Sequence, residues 1–271
     1  MSAGWSRAGG GGRRRRRRRA EEAAAGPEAA AERQRRRLQE AITELRGSDF
    51  WPCGRGAVWK TLRGPPAAPP ASWAEALRCV CYGLGSFASC GKARLQLAFL
   101  VLLLEELKVP PERCFVFDPV FSALEVEVLS GLGLTVLQRN EDGKRRVEGP
   151  TLFYMIHCGK ALYNNLLWRN WSVEALSQMV VVGNSFRALE ERLLAKVFSE
   201  NYSYIAKVLE ATQEEALPPH QQHPEAFNDT SVHCFPLQKL RGLPGDLWAC
   251  HPEPLYPEEA QLEIIRNQPS G

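Results

Sequence analysis

The chain has 271 residues, 44% of them hydrophobic and 24% charged, which excludes fibrous and collagen-like classes and leaves a sizeable core in at most two domains. Its net charge is only +3, yet the first 46 residues hold 13 Arg and 6 Glu, so the remainder is net acidic and no obvious nucleic-acid binder. The longest apolar run, 97–104, falls well short of the roughly 20 residues that cross a bilayer.

Residues 1–26 are low in complexity, four Gly at 9–12 preceding seven Arg at 13–19. A segment that polar and self-repelling buries nothing and reads as a disordered leader. It lacks the apolar core of a signal peptide, and Glu21 and Glu22 follow the Arg run where a transit sequence would be acid-poor. The expected location is cytosolic or nuclear, and the Arg run is expected to be a solvated extension. Residues 28–46 have helical composition, with Leu38, Ile42 and Leu45 forming a narrow apolar stripe that suits docking better than core formation. A Pro-rich spacer at 64–71 and a Ser72/Glu75 capping pattern then place the domain boundary near residue 72. Residues 72–210 are expected to form the body, with 211–271 supplying a polar loop, a last strand and a tail.

Within the body, strand-like runs at 78–82, 114–117, 134–138, 152–156 and 179–182 alternate with helical stretches at 91–108, 119–130, 159–169 and 187–198. Asp118 and Pro119 look like the cap and first residue of the second of these helices. A further strand is expected at 231–235, after a polar loop at 210–225. The economical reading is α/β: a Rossmann-like, doubly wound, mostly parallel sheet covered on both faces. Eight Cys are scattered through apolar segments without a Cys-x-x-Cys pair, as reduced thiols would be, and no zinc site is indicated.

Ligands of such sheets bind beyond the carboxyl ends of the strands. After the first strand, Gly83, Gly85 and Ala88 satisfy G-x-G-x-x-[G/A], with Ser86 inside the turn and Ser89 just after it, and the second strand ends in Asp118 where a ribose would be read. The acid lies 33 residues after Gly85 rather than the usual ~20, so a plain structural turn weighs equally. A P-loop is excluded, because five residues separate Gly85 from Gly91 and Ala93 replaces the Ser or Thr after Lys92. His157 and Cys158 follow the fourth strand; adjacent side chains diverge, leaving His157 as a ligand-binding or polar-network residue and Cys158 as structural. Gly183, Asn184 and Ser185 echo a nucleophile elbow with Asp229 and His233 downstream, but Arg187 stands where the elbow needs glycine, so Asn184 or Ser185 is expected to cap a helix.

Five of these motifs together resemble the SRR-like domain family, named from the plant gene for sensitivity to red light reduced. They are Tyr82 to Ser86 with Gln96 to Ala98, Asp118-Pro119, Glu125 to Leu129, Met155 to Gly159 with Tyr163 to Trp168, and Gly183 to Phe186; 227–233 and 262–267 extend the match. The resemblance implies a regulatory protein acting on haem biosynthesis and circadian core clock gene expression, without an established catalytic residue. The alternative is a Rossmann-like enzyme using S-adenosylmethionine or NAD. The pocket residues expected on either reading are Gly83, Gly85, Ser86, Asp118, His157, Asn184 and Ser185. Their ligand is a small metabolite or a protein partner, with haem among the candidates; no membrane is involved.

Overall fold

A computed structural model describes residues 26–63, 76–257 and 263–264. The expected disordered leader and the expected boundary at residue 72 lie outside the described residues. The body is α/β, and its seven-stranded mixed sheet runs β3-β2-β1-β4-β5-β7-β6. In chain order the strands are β1 (Arg78–Tyr82), β2 (Cys114–Phe117), β3 (Thr135–Val136), β4 (Thr151–Met155), β5 (Met179–Asn184), β6 (Gln213–Ala216) and β7 (Thr230–Cys234). The first five are parallel, whereas β7 is antiparallel to both β5 and β6. Alternation along the strands makes two cores. Cys79, Cys81, Leu152, Tyr154, Val180 and Val182 point to one face, and Val80, Tyr82, Phe153, Met155 and Val181 to the other. Central strands buried on both faces explain why they read as continuous apolar runs.

The first face is covered by α1 (Pro27–Arg46), α2 (Phe50–Arg63), α3 (Gly91–Glu106) and α4 (Ala123–Gly131). The α3 helix is apolar nearly all round because it is sandwiched: Leu97, Ala98, Phe99 and Leu100 are fully buried, and α1 lies against it. The stripe of α1, expected to suit docking rather than core formation, is instead part of this core: Leu38, Ile42 and Leu45 are buried in it together with Ala31. Gly47 ends α1, and Phe50 at the start of α2 stacks on Phe227 and meets Phe99 edge-on. These helices are thus integral to the body rather than appended to it.

The opposite face carries α5 (Lys160–Arg169), α6 (Val173–Leu176), α7 (Phe186–Arg192), α8 (Ala195–Asn201) and α9 (Ser203–Val208). Two short helices, α10 (Pro224–Phe227) and α11 (Leu237–Arg241), flank β7, and α12 (Asp246–Ala249) follows them.

Three local expectations are corrected. The helix after β2 starts at Ala123, not Pro119, because Ser122 and Glu125 form a capping box there. The stretch expected as one helix at 187–198 is two, α7 and α8. The expected polar loop at 210–225 contains β6, an edge strand whose Glu214 and Glu215 obscure it. Among the described residues no helix is long and apolar enough to cross a membrane.

Candidate functional site

Strand order reverses between β1 and β4, and the loops leaving their carboxyl ends part to leave a crevice. A cavity of about 250 Å³ lies there, walled by Phe117, Val120 and Leu162 and floored by the loops after β1, β2 and β4. Gly83, Gly85, Asp118 and His157 line it, whereas Ser86, Asn184 and Ser185 are not among the residues that line it. Larger hollows, about 470 Å³ beside Trp168, about 420 Å³ beside His220 and about 380 Å³ beside Pro110, are lined by none of those loops.

The loop after β1 turns on Gly83 and Gly85, at φ +68° and +77°. Gly83 is required twice over, because a Cβ there would stand 2.4 Å from the Cys158 Sγ. Asp118, 9% exposed, spends both carboxylate oxygens on the neighbouring backbone. Its Oδ2 accepts from Gly85 N–H at 2.6 Å and its Oδ1 from Val120 N–H at 2.9 Å. Ser86 donates to Glu125 Oε1 at 2.9 Å. That buried carboxylate also accepts from Ala88 N–H and from the backbone and hydroxyl of Ser122. Burial pushes the Glu125 pKa up, but these hydrogen bonds outweigh it and hold the group below its ordinary value. Glu125 was not singled out as a site residue; the Ser122-x-x-Glu125 pattern was the signal for it.

His157 sits at φ +58°, a left-handed conformation uncommon outside glycine, and the surrounding bonds hold it there. Its N–H donates to Asn184 Oδ1 at 2.8 Å. The Gln96 amide lies 3.2 Å from Nδ1 and the Asn228 carbonyl 3.1 Å from Nε2. An amide donor on Nδ1 and a carbonyl acceptor on Nε2 assign the neutral Nε2–H tautomer. Burial, chiefly, lowers its pKa in keeping with that. Next door the Cys158 thiol donates to the Tyr82 carbonyl at 3.2 Å, and burial raises its pKa far above the thiol range. It is an inert thiol.

Asn184 clamps this loop, since its amide also donates to the Cys158 carbonyl at 2.9 Å while its own N–H donates to the Tyr163 hydroxyl. Ser185 caps α7 by accepting from Ala188 N–H at 3.0 Å and donates to Glu214 Oε1 at 2.5 Å. No hydrolase triad is assembled: the hydroxyl engages Glu214, Asp229 pairs with Arg192 at 2.6 Å, and the His233 ring stacks on Phe186. The cavity thus presents apolar walls and polar groups already bonded to its own frame. For haem, neither His157 nor Cys158 offers an unengaged ligand atom; for an adenosine compound, each Asp118 oxygen already carries one backbone bond and keeps a lone pair for a ribose hydroxyl. No group of three or more His, Cys, Asp or Glu capable of holding a metal occurs among the described residues.

The model of the SRR1 domain matches residues 44–234. An SRR1-like protein of Mus musculus is 53% identical over 196 residues, covering 64% of this chain and 79% of its own length. An SRR1-like protein of Drosophila melanogaster is 30% identical over 226 residues, 83% of this chain and 77% of its own. The Arabidopsis thaliana protein SENSITIVITY TO RED LIGHT REDUCED 1 is 39% identical over 162 residues, 59% of this chain and 58% of its own. No solved structure matches. The domain match embraces α2, every strand and every loop that builds the cavity, and on that ground the chain belongs to the SRR1 domain family.

Proposed function

We propose that this protein is a regulator of haem biosynthesis and circadian core clock gene expression that works by binding at the switch-point cavity and not by catalysis. The supporting observation is the commitment of the polar groups around the cavity. Asp118 holds the glycine turn, His157 is neutral and bonded through both ring nitrogens, and the Cys158 thiol is buried and protonated. A general base or nucleophile needs an unengaged basic nitrogen or a thiolate, and the basic Nδ1 of His157 faces the Gln96 amide while the Cys158 thiol keeps its proton. Haem content and core clock transcripts should change when the protein is depleted, and both wild type and His157→Gln should restore them. Failure of a folded His157→Gln chain to rescue would assign chemistry to the imidazole and overturn the non-catalytic reading.

A second reading, an S-adenosylmethionine or NAD enzyme, draws support from the cavity's position at the reversal of strand order beside a glycine turn. Thermal-shift titrations with NAD(P), S-adenosylmethionine and ATP separate the two. A ligand at a hundred times its Kd stabilises by about 2.7 kcal/mol, so absence of any shift removes the second reading.

A further inference from the structure

The loop joining β3 to β4 carries Lys144, Arg145 and Arg146 to the end of α5. Asn170, 3% exposed, ends that helix and fastens the loop to it. Its Oδ1 accepts from Val147 N–H at 2.8 Å, and its Nδ2 donates to the Arg145 carbonyl at 2.8 Å. The two bonds straddle Arg146, and Arg169 precedes Asn170 in the chain, so one buried amide holds the two arginines side by side. Both line each of two adjoining hollows, the one of about 470 Å³ backed by Trp168 and another of about 250 Å³ at the start of β1 and β4. The other cations of this place are matched one to one: Arg78 pairs with Glu148 at 3.2 Å, Arg145 with Glu141 at 2.8 Å and Lys144 with Glu253 at 2.5 Å. Arg146 and Arg169 are exposed, and neither meets a carboxylate among the described residues. The negative end of α5 accounts for Arg169 but not for Arg146. Two guanidinium groups fixed next to each other repel, and the fold keeps them together on a net acidic body with the neighbouring carboxylates already engaged.

We propose that this groove receives an extended acidic segment of a partner protein. Its carboxylates pair with the planar guanidinium forks of Arg146 and Arg169, and its intervening side chains enter the hollow beside Trp168. A peptide fits the charge better than a nucleic acid does. A polyanion gains affinity from a run of cations that releases its counterions, whereas two unmatched cations stand here among Glu141, Glu148 and Glu253. The groove shares no lining residue with the switch-point cavity, so this surface goes beyond the regulatory reading and does not depend on it.

The test photo-crosslinks the full chain to a decaglutamate peptide with a central benzoylphenylalanine and maps the attachment sites by mass spectrometry, which separates the groove from the Arg-rich leader. Crosslinks should fall within 144–147 and 168–172, and the decaglutamine analogue should give none there. Their yield should drop about tenfold in Arg146→Glu/Arg169→Glu, whose circular dichroism should match wild type because both side chains are exposed. Should charge reversal disturb the fold, Arg146→Gln/Arg169→Gln carries the comparison with a drop of about threefold. Crosslinks confined to the leader, undiminished yield in a folded variant, or equal yield from the glutamine analogue overturns the proposal. So does displacement of the groove crosslinks by oligothymidylate at a lower concentration than by unlabelled decaglutamate.

Discussion

Gly83 and Gly85 share a left-handed backbone but not the same surroundings. A methyl on Gly85 would meet the Ala93 Cβ at an ordinary 3.8 Å, so Gly85→Ala carries only the backbone cost, about 1–2 kcal/mol. On Gly83 it would collide with the buried Cys158 sulfur, adding an overpacking cost of about 1–3 kcal/mol. Urea unfolding should rank Gly83→Ala well below Gly85→Ala, and equal midpoints would show that the Cys158 contact is soft. Glu214 supplies a pH signature. Burial raises its pKa, but hydrogen bonds from His233, Ser185 and Ser231 and the His233 charge prevail and hold it at about 2. Its ordinary value is 4.5, so the folded state gains stability from the carboxylate above pH 4.5 and loses it as pH falls toward 2. Glu214→Gln should flatten that acid limb in thermal melts between pH 4.5 and 2; an unchanged limb would assign it to other carboxylates. At this scale the sequence was readable where one residue type has one use, as with the positive-φ glycines and the Ser185 cap. The partners of His157 and Asp118 were not, because they come from Gln96, Asn228 and Gly85, which only the sheet brings near.

Elements were legible in proportion to their burial. The bounds of β1 and β2 coincide with the expected runs, since a strand buried on both faces has an uninterrupted apolar signature. The edge strand β6 was hidden by Glu214 and Glu215, of which the second pairs with Lys60 of α2 at 2.7 Å. The α2 helix was hidden by Pro52, Gly54 and Gly56. Pro52 is harmless in the first turn, where its missing N–H would have no partner, and Gly54 lets the helix approach the Phe99 ring, 3.4 Å from where a Cβ would stand. The two N-terminal helices matter to stability more than their place outside the expected body implied. Leu38 is 1% exposed, and Leu38→Ala should cost about 2–5 kcal/mol by the range for buried Leu truncations. A chain beginning at residue 72 would lack α1 and α2 and uncover the outer side of α3. It should lose the cooperative thermal transition of the full chain. Retention of that transition would show the helices to be an accessory layer.

For the molecule as a whole, the strand order places a crevice at the reversal between β1 and β4, and the loops from those strands are locked around it by Asp118, His157 and Asn184. The general location followed from the βα alternation in the sequence, whereas the tail wall at Glu263 and Ile264 arises from a contact about a hundred residues distant from Gly159 that no local pattern encodes. The polar frame then shapes an apolar recess, and on the proposed reading recognition rests on its shape. Val120 is 49% exposed and lines the cavity mouth, so it can be enlarged without disturbing the core. Rescue of protein-depleted cells with Val120→Trp, scored by haem content and core clock transcripts at matched protein level and melting temperature, tests the binding account most directly. Loss of rescue by Val120→Trp beside full rescue by His157→Gln is the result the account predicts; full rescue by the blocked cavity would contradict it.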